Sequence, residues 1–240
     1  KYNPYFIYRI TKNWVDFHTA VSNEVLELLI NNKSIIPKKA QFLPNGMDLS
    51  TLKPKNFKNN KFMWLTAGRL HPVKDFSNLI NACQIVREKF ENFELHIAGD
   101  GVEKDNLNTL INHFKLQDTV KLLGLQSNMI ELMPRYDSFV MSSYSEGLPM
   151  VLLEAMSVGL PVLSTKVGQI PLILNHSKGG ILVEPKNYES LAGGMITMMS
   201  LDSKKTENMQ LANFKYIKSH LDINLLTDSW IKIYKQGHVD

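Results

Sequence analysis

Phe62-Met63-Trp64-Leu65-Thr66-Ala67-Gly68-Arg69-Leu70-His71-Pro72-Val73-Lys74-Asp75 decides how the rest of the chain is read. A short apolar run of strand length meets a glycine, and a helical pattern follows over 75–90. In that pattern Phe76, Leu79, Ile80, Cys83, Val86 and Phe90 fall on one face. The alternation then repeats, with strands expected at 62–67, 93–98, 119–123, 138–142, 161–164 and 181–183. Leu107, Leu110, Ile111 and Phe114 mark the helix after the second of these. Strands separated by helices pair in parallel, because each crossover returns the chain to the same edge. Right-handed crossovers make the expected fold α/β, a doubly wound parallel sheet covered on both faces. Ligands of such sheets bind at the carboxyl ends of the strands, where the strand order reverses. The loops that follow strands are therefore the ones to read for chemistry.

Outside this region the patterns are less regular. Residues 1–12 mix aromatics with Lys1, Arg9 and Lys12, and they show neither an initiator Met nor a signal-peptide design. This reads as the cut end of a longer chain. Residues 15–21 alternate as a strand would, and Ser22 caps a short amphipathic helix over 23–30. Residues 35–57 carry Pro37, Pro44, Asn45-Gly46 and Pro54, the extended and turn chemistry of a linker. Beyond residue 204 the signals are only helical.

Composition removes several classes. With 44% hydrophobic and 21% charged residues the chain is globular, not disordered. A net charge of +4 on 240 residues, with no clustered basic face, gives no reason to expect a nucleic-acid partner. The single cysteine, Cys83, excludes a disulfide framework and a Cys-based zinc site, and suits a reducing compartment such as the cytoplasm. No run of about 18 apolar residues is present to span a bilayer. The aromatic and basic residues at 1–12 suit peripheral contact with the inner face of the cell membrane, or a buried strand or helix end.

Three loops carry chemistry. In the first, Arg69 and Lys74 lie five residues apart on one strand-to-helix connection, with Gly68 giving the backbone room. A planar fork of donors and a point charge suit a pair of phosphates, and a helix N-terminus adds partial positive charge. A solvated Arg and a helix-flanking Lys would give the same spacing. The nucleoside-triphosphate loop, Gly-x-x-x-x-Gly-Lys-Ser/Thr, is absent. In the second, Ala98-Gly99-Asp100-Gly101 has two of the three dinucleotide-fingerprint glycines and reads as a tight turn with an exposed Asp.

The third is the most informative: Ser142-Ser143-Tyr144-Ser145-Glu146-Gly147-Leu148-Pro149-Met150-Val151-Leu152-Leu153-Glu154-Ala155-Met156. Pro149 suits a first helical turn and Gly159 can close the helix. Glu154 then sits in an otherwise apolar helix, where a carboxylate is costly to bury without donors. Either sugar hydroxyls or a structural partner such as Arg69 or Lys74 could supply them. Glu146 lies on the loop itself. Lys166-Val167-Gly168-Gln169-Ile170-Pro171 makes another turn at the same edge, and Ser177-Lys178-Gly179-Gly180 reads as a hairpin-style connection. No Asp-x-Asp pair, His-Glu-x-x-His helix, Cys/His cluster or Gly-x-Ser-x-Gly elbow occurs.

In order and spacing, Gly68-Arg69-Leu-x-x-x-Lys74, Ile97-Ala98-Gly99-Asp100-Gly101 and Glu146-Gly-Leu-Pro-Met-Val-Leu-Leu-Glu154-Ala-Met resemble the retaining glycosyltransferases of family 4. The likeness covers roughly residues 60–200 and includes Gly159-Leu-Pro-Val. Ala20-Val21-Ser22 and Leu43-Pro44-Asn45-Gly46-Met47-Asp48 resemble that family's interdomain approach. The resemblance implies the C-terminal, Rossmann-like half of a GT-B fold that holds a UDP- or GDP-linked sugar. Arg69 and Lys74 would bind the diphosphate and stabilise the charge that grows on it, with no cofactor or metal required. Glu154 would accept from the ribose hydroxyls and Glu146 from the transferred sugar. Backbone N–H groups in the stretch Gly147 to Met150 would meet phosphate or sugar, Leu148 and Pro149 being donor-loop residues within it, and Gly124 and Leu125 would lie at the base.

The acceptor would be a saccharide or lipid-linked sugar, in the synthesis of surface or capsular polysaccharide. The family's usual Gly-Gly-x-Pro-Glu is here Gly168-Gln169-Ile170-Pro171-Leu172, without the acid. The resemblance divides the chain into a remnant of the acceptor domain at 1–45, a linker at 46–60, the nucleotide-sugar domain at 61–204 and C-terminal helices at 205–240. With most of an acceptor domain missing, the chain is expected to bind nucleotide weakly but not to transfer sugar alone. A non-catalytic nucleotide-sugar-binding fragment and a sugar-nucleotide epimerase of the same fold are the alternatives.

Overall fold

The computed structural model describes residues 5–49 and 60–236. They group into two compact units, residues 5–49 with 219–236 and residues 60–218. In chain order the elements are α1 (Tyr5–Thr11), β1 (His18–Ala20), α2 (Asn23–Asn31), β2 (Ala40–Phe42), β3 (Phe62–Ala67), α3 (Phe76–Arg87), β4 (Phe93–Ala98), α4 (Lys104–His113), β5 (Val120–Gly124), α5 (Met129–Leu132), β6 (Ser138–Met141), α6 (Met150–Ser157), β7 (Val162–Thr165), α7 (Ile170–Ser177), β8 (Gly180–Val183), α8 (Tyr188–Met199), α9 (Ser203–His220) and α10 (Ile223–Gln236).

The larger unit is built on one six-stranded sheet of order β5-β4-β3-β6-β7-β8, parallel throughout. β3 comes first in sequence, and the chain adds strands on one side of it before jumping to the other. The reversal therefore falls between β3 and β6. Right-handed crossovers on either side of that point put the connecting helices on opposite faces. One face carries α3, α4 and α8, whose Leu79, Ile80, Leu107, Leu191 and Met195 pack with Trp64, Leu95 and Ile97 of the sheet. Every residue of β6 and β7 is buried, as strands covered on both faces require. Asn213 of α9 donates through Nδ2 to the carbonyls of Leu160 and Gly179, fixing the turns that end α6 and α7.

The six expected strands are all present, with ends moved by at most one residue. The turn Ser177-Lys178-Gly179-Gly180 is not a hairpin, because β8 pairs parallel to β7 and the turn leads out of a helix.

The smaller unit corrects one expectation. Residues 37–42 are not linker: Pro37–Lys39 form a 3-10 turn, and β2 pairs parallel with β1 from His18↔Ala40 to Ala20↔Phe42. Buried Ile35, Leu43 and Met47 anchor this stretch, and Met47 bridges to Asp222. Most of the linker expected at 46–60, namely 50–59, lies outside the described residues. Ser22 caps α2 as read, its side chain accepting from the Val25 N–H at 3.2 Å. The strand expected at 15–21 shrinks to three residues. α1 buries none of its residues within this chain. No described helix is long and apolar enough to cross a membrane.

Candidate active site

The loops after β3, β4, β5 and α6's own N-terminus surround a cleft of about 650 Å³, in the size range of small-molecule sites. It opens at the carboxyl ends of the strands beside the β3/β6 reversal, where doubly wound sheets bind ligands. Local backbone chemistry builds each wall. The β3 loop turns through Pro72–Lys74 as a 3-10 turn, with the His71 side chain accepting from the Val73 N–H. This aims Lys74 back over Gly68, where an added Cβ would sit 3.2 Å from the lysine Cε.

The β4 loop lies directly against the β3 loop. Gly68 N–H donates to the Ala98 carbonyl and Leu70 N–H to the Asp100 carbonyl, at 3.0 and 2.9 Å. Gly99 makes this approach possible: its φ is +140°, and a Cβ there would fall on the carbonyl oxygen of Gly68. Gly99 N–H in turn reaches the Gly124 carbonyl at 2.8 Å, so the β5 loop joins the same wall. Asp100 is exposed and accepts from the Gly101 N–H at 2.9 Å, as a tight turn with an exposed acid would.

The β6 loop closes the other side. Tyr144 N–H donates to the Val73 carbonyl, and Ser142 Oγ donates to the Lys74 carbonyl at 2.8 Å. Across this seam Lys74 Nζ meets Glu146 Oε1 at 2.6 Å, in an ion pair whose side chains are 20% and 12% exposed. Ser143 Oγ donates to the same carboxylate oxygen at 2.6 Å. Beneath the loop, Gly168 sits at φ +53° with no room for a Cβ against the Glu146 carbonyl, and Gln169 N–H donates to the Gly147 carbonyl. The turn without its acid thus holds up the glutamate loop through backbone contacts.

Glu154 is half-buried on α6 and faces the cleft without a side-chain hydrogen bond or ion pair among the described residues. Burial pushes its carboxyl above the ordinary glutamate range. Among the described residues the structural partner allowed for it is not there: Lys74 goes to Glu146, and Arg69 is exposed and has no ion pair. A carboxyl so held makes the folded state bind its proton more tightly, so ionised Glu154 costs stability above its raised pKa and costs nothing below its unfolded pKa. Glu154→Gln is therefore expected to raise Tm at pH 7, with the gain shrinking as pH falls through the acid range. Thermal melts of the two proteins across pH 4–8 check this, and a gain that persists unchanged at low pH would contradict it.

Of the residues singled out from sequence, Gly68, Arg69, Lys74, Leu125, Met150 and Glu154 line the cleft. Glu146 reaches it through Lys74, and Gly124 stands one residue back at φ +69°. Gly147, Leu148 and Pro149 lie on the adjoining loop and do not line it. Pro149 has no N–H to offer, and it precedes α6 as its buried cap residue and not within the first turn. His71, Val73, Gly99, Asp100, Gln126, Met129 and Val151 line the cleft and were not anticipated there. For Gly99 the signal was present, a glycine pair at a strand end. Gln126 and Met129 carried none.

Residues 50–215 match the sequence model of the family described as glycosyl transferases group 1. An uncharacterized glycosyltransferase of Methanocaldococcus jannaschii is 32% identical over 206 residues, which cover 76% of this chain and 51% of that protein. An N-acetylgalactosaminyltransferase of Campylobacter jejuni, named for a diphospho-undecaprenol-linked acceptor, is 34% identical over 183 residues, 74% of this chain and 49% of that one. The chain spans about half the length of these curated relatives. Among solved structures, a glycosyltransferase from Rickettsia africae superposes with a TM-score of 0.86 at 22% identity, covering 99% of this chain and 68% of that one. Anabaena HepE in complex with UDP gives 0.86 at 21% identity, with 98% and 68% covered. The six-stranded parallel sheet is thus that of the GT-B glycosyltransferases. With the family model matched across the whole sheet and its loops, this chain belongs to the group 1 glycosyl transferases.

Proposed function

We propose that the chain forms the donor-binding part of a retaining, family 4 glycosyltransferase. It would move a hexose-type sugar from a UDP-sugar to a saccharide or lipid-linked acceptor in the making of surface or capsular polysaccharide. The observation that carries this reading is the Lys74–Glu146 pair at the rim of a cleft that also presents Arg69 and Glu154, neither of them paired among the described residues. Two cations on one wall match a diphosphate, and two carboxylates with acceptor capacity match the hydroxyls on either side of it. Arg69 and Lys74 stabilise the charge that develops on the leaving diphosphate as the glycosidic bond breaks. Glu154 takes the ribose hydroxyls, and this ligand supplies the donors that its half-buried carboxylate lacks in the free protein. Glu146 takes the sugar. Uracil is favoured as the base because HepE was solved with UDP and a relative in Escherichia coli is named as a UDP-galactose enzyme. The leaving phosphate assists the incoming hydroxyl, so no protein nucleophile is assigned.

Calorimetric titration with UDP and with GDP tests the reading. UDP is expected to bind the wild-type chain, and Arg69→Ala to weaken it about tenfold, the scale of one lost charge-assisted contact. Equal affinity of the wild-type and Arg69→Ala proteins would refute the phosphate assignment.

A further inference from the structure

Glu146 has an asymmetric set of partners. Both of its donors, Lys74 Nζ and Ser143 Oγ, go to Oε1 at 2.6 Å, and Oε2 has no hydrogen bond among the described residues. The two donors differ in what a diphosphate does to them. Lys74 lines the cleft, so an arriving phosphate competes for its ammonium. Ser143 is 2% exposed and does not line the cleft, so the phosphate cannot reach its hydroxyl. A carboxylate held by Lys74 alone would lose its anchor at the moment the donor binds.

Ser143 is itself held by the sheet. Its carbonyl accepts from the buried Thr165 Oγ1 at 2.6 Å, which ties the ends of β6 and β7 together. Its neighbours on either side reach the β3 loop, Ser142 to the Lys74 carbonyl and Tyr144 to the Val73 carbonyl. A hydroxyl on so fixed a backbone holds one oxygen of the carboxylate and leaves the other without a hydrogen bond among the described residues. We infer that Ser143 is a positioning residue that keeps Glu146 in place while the Lys74 ammonium changes partner from Glu146 to the donor diphosphate, dedicating Oε2 to the hydroxyls of the transferred sugar.

This rests on the donor-site reading above, and the test separates the two. Bind UDP and a panel of UDP-hexoses to the wild-type chain, Ser143→Ala, Ser143→Cys, Glu146→Gln and the Ser143→Ala/Glu146→Gln double variant, by calorimetry. The wild type should bind its best UDP-hexose more tightly than UDP. In Ser143→Ala, affinity for UDP should stay within about twofold, and the extra affinity given by the hexose should fall roughly tenfold, as expected for one hydrogen bond to a charged group. Ser143→Cys, with a similar volume and a weak donor, should fall between the two. The double variant should be no worse than Glu146→Gln, because both changes act through one carboxylate.

An unchanged hexose increment in Ser143→Ala would overturn the proposal. So would equal loss of UDP and UDP-hexose binding in both Ser143 variants, which marks a purely structural role, and so would a wild type that binds no hexose of the panel better than UDP. Failure of the wild type to bind any nucleotide would instead bring down the donor-site reading, and this inference with it.

Discussion

Lys74→Ala is expected to weaken UDP binding roughly a hundredfold, more than Arg69→Ala does. Two effects add. The variant removes a cation whose side chain is only 20% exposed, where a charge is screened less than at exposed Arg69. It also leaves Glu146, 12% exposed, as an uncompensated acid beside the incoming phosphates. The second effect has its own signature: Glu146→Gln in the Lys74→Ala background should recover part of the lost UDP affinity. Without that recovery, the pair is not the feature that matters. In a chain that also carries an acceptor-binding half, kcat should fall by about 10²–10³, the usual scale for one lost group that stabilises developing charge. Calorimetry with UDP on the single and double variants, followed by initial-rate measurements, checks both.

The second large effect is structural. Gly99→Ala is expected to destabilise the protein by about 2–3 kcal/mol and to abolish UDP binding. Its Cβ would fall on the Gly68 carbonyl oxygen, and its φ of +140° is a conformation that alanine rarely adopts. Relief requires the β3 and β4 loops to part, which breaks the Gly68–Ala98 and Leu70–Asp100 hydrogen bonds and displaces Arg69. For a chain of this size the cost corresponds to a drop in Tm of roughly 5–10 °C. Gly193→Ala, away from the cleft, is the control: no atom lies within 4 Å of its added Cβ, and it is not among the glycines with positive φ. Melting curves and UDP titrations of the two variants decide the matter. Equal behaviour would show that the close approach at Gly99 is not what shapes the wall.

Much of this was readable from the chain because local chemistry and the global fold agree. β3 and β4 were legible to the residue, since β3 is a short apolar run and β4 alternates through Phe93, Leu95 and Ile97, each ended by a glycine-bearing turn. From their alternation with helices came the parallel sheet, and from the sheet the edge at which to look for a ligand. β2 was hidden because Pro37, Pro44 and Asn45-Gly46 dominate the local signal, and its pairing with β1 links residues 22 apart.

Side-chain pairing was the harder part. Glu154 drew attention as the acid needing a partner, yet Lys74 pairs with Glu146, 72 residues away, a choice set by how the β3 and β6 loops meet. Gly99 belongs to a turn with only two of the three dinucleotide-fingerprint glycines, and its role of letting two loops touch depends on a contact with Gly68 that the local sequence does not encode. Gln126 and Met129 reach the cleft only because the β5 loop is tied to Gly99, a contact that no spacing encodes.

The most direct measurement is the structure of the chain with UDP bound. The diphosphate should lie in the cleft within about 3 Å of Lys74 Nζ and the Arg69 guanidinium, with the ribose hydroxyls on Glu154. Lys74 should have left Glu146 Oε1, and Ser143 Oγ should still be on it. A diphosphate bound elsewhere, or one in the cleft that leaves the Lys74–Glu146 pair intact and Arg69 untouched, would contradict the account.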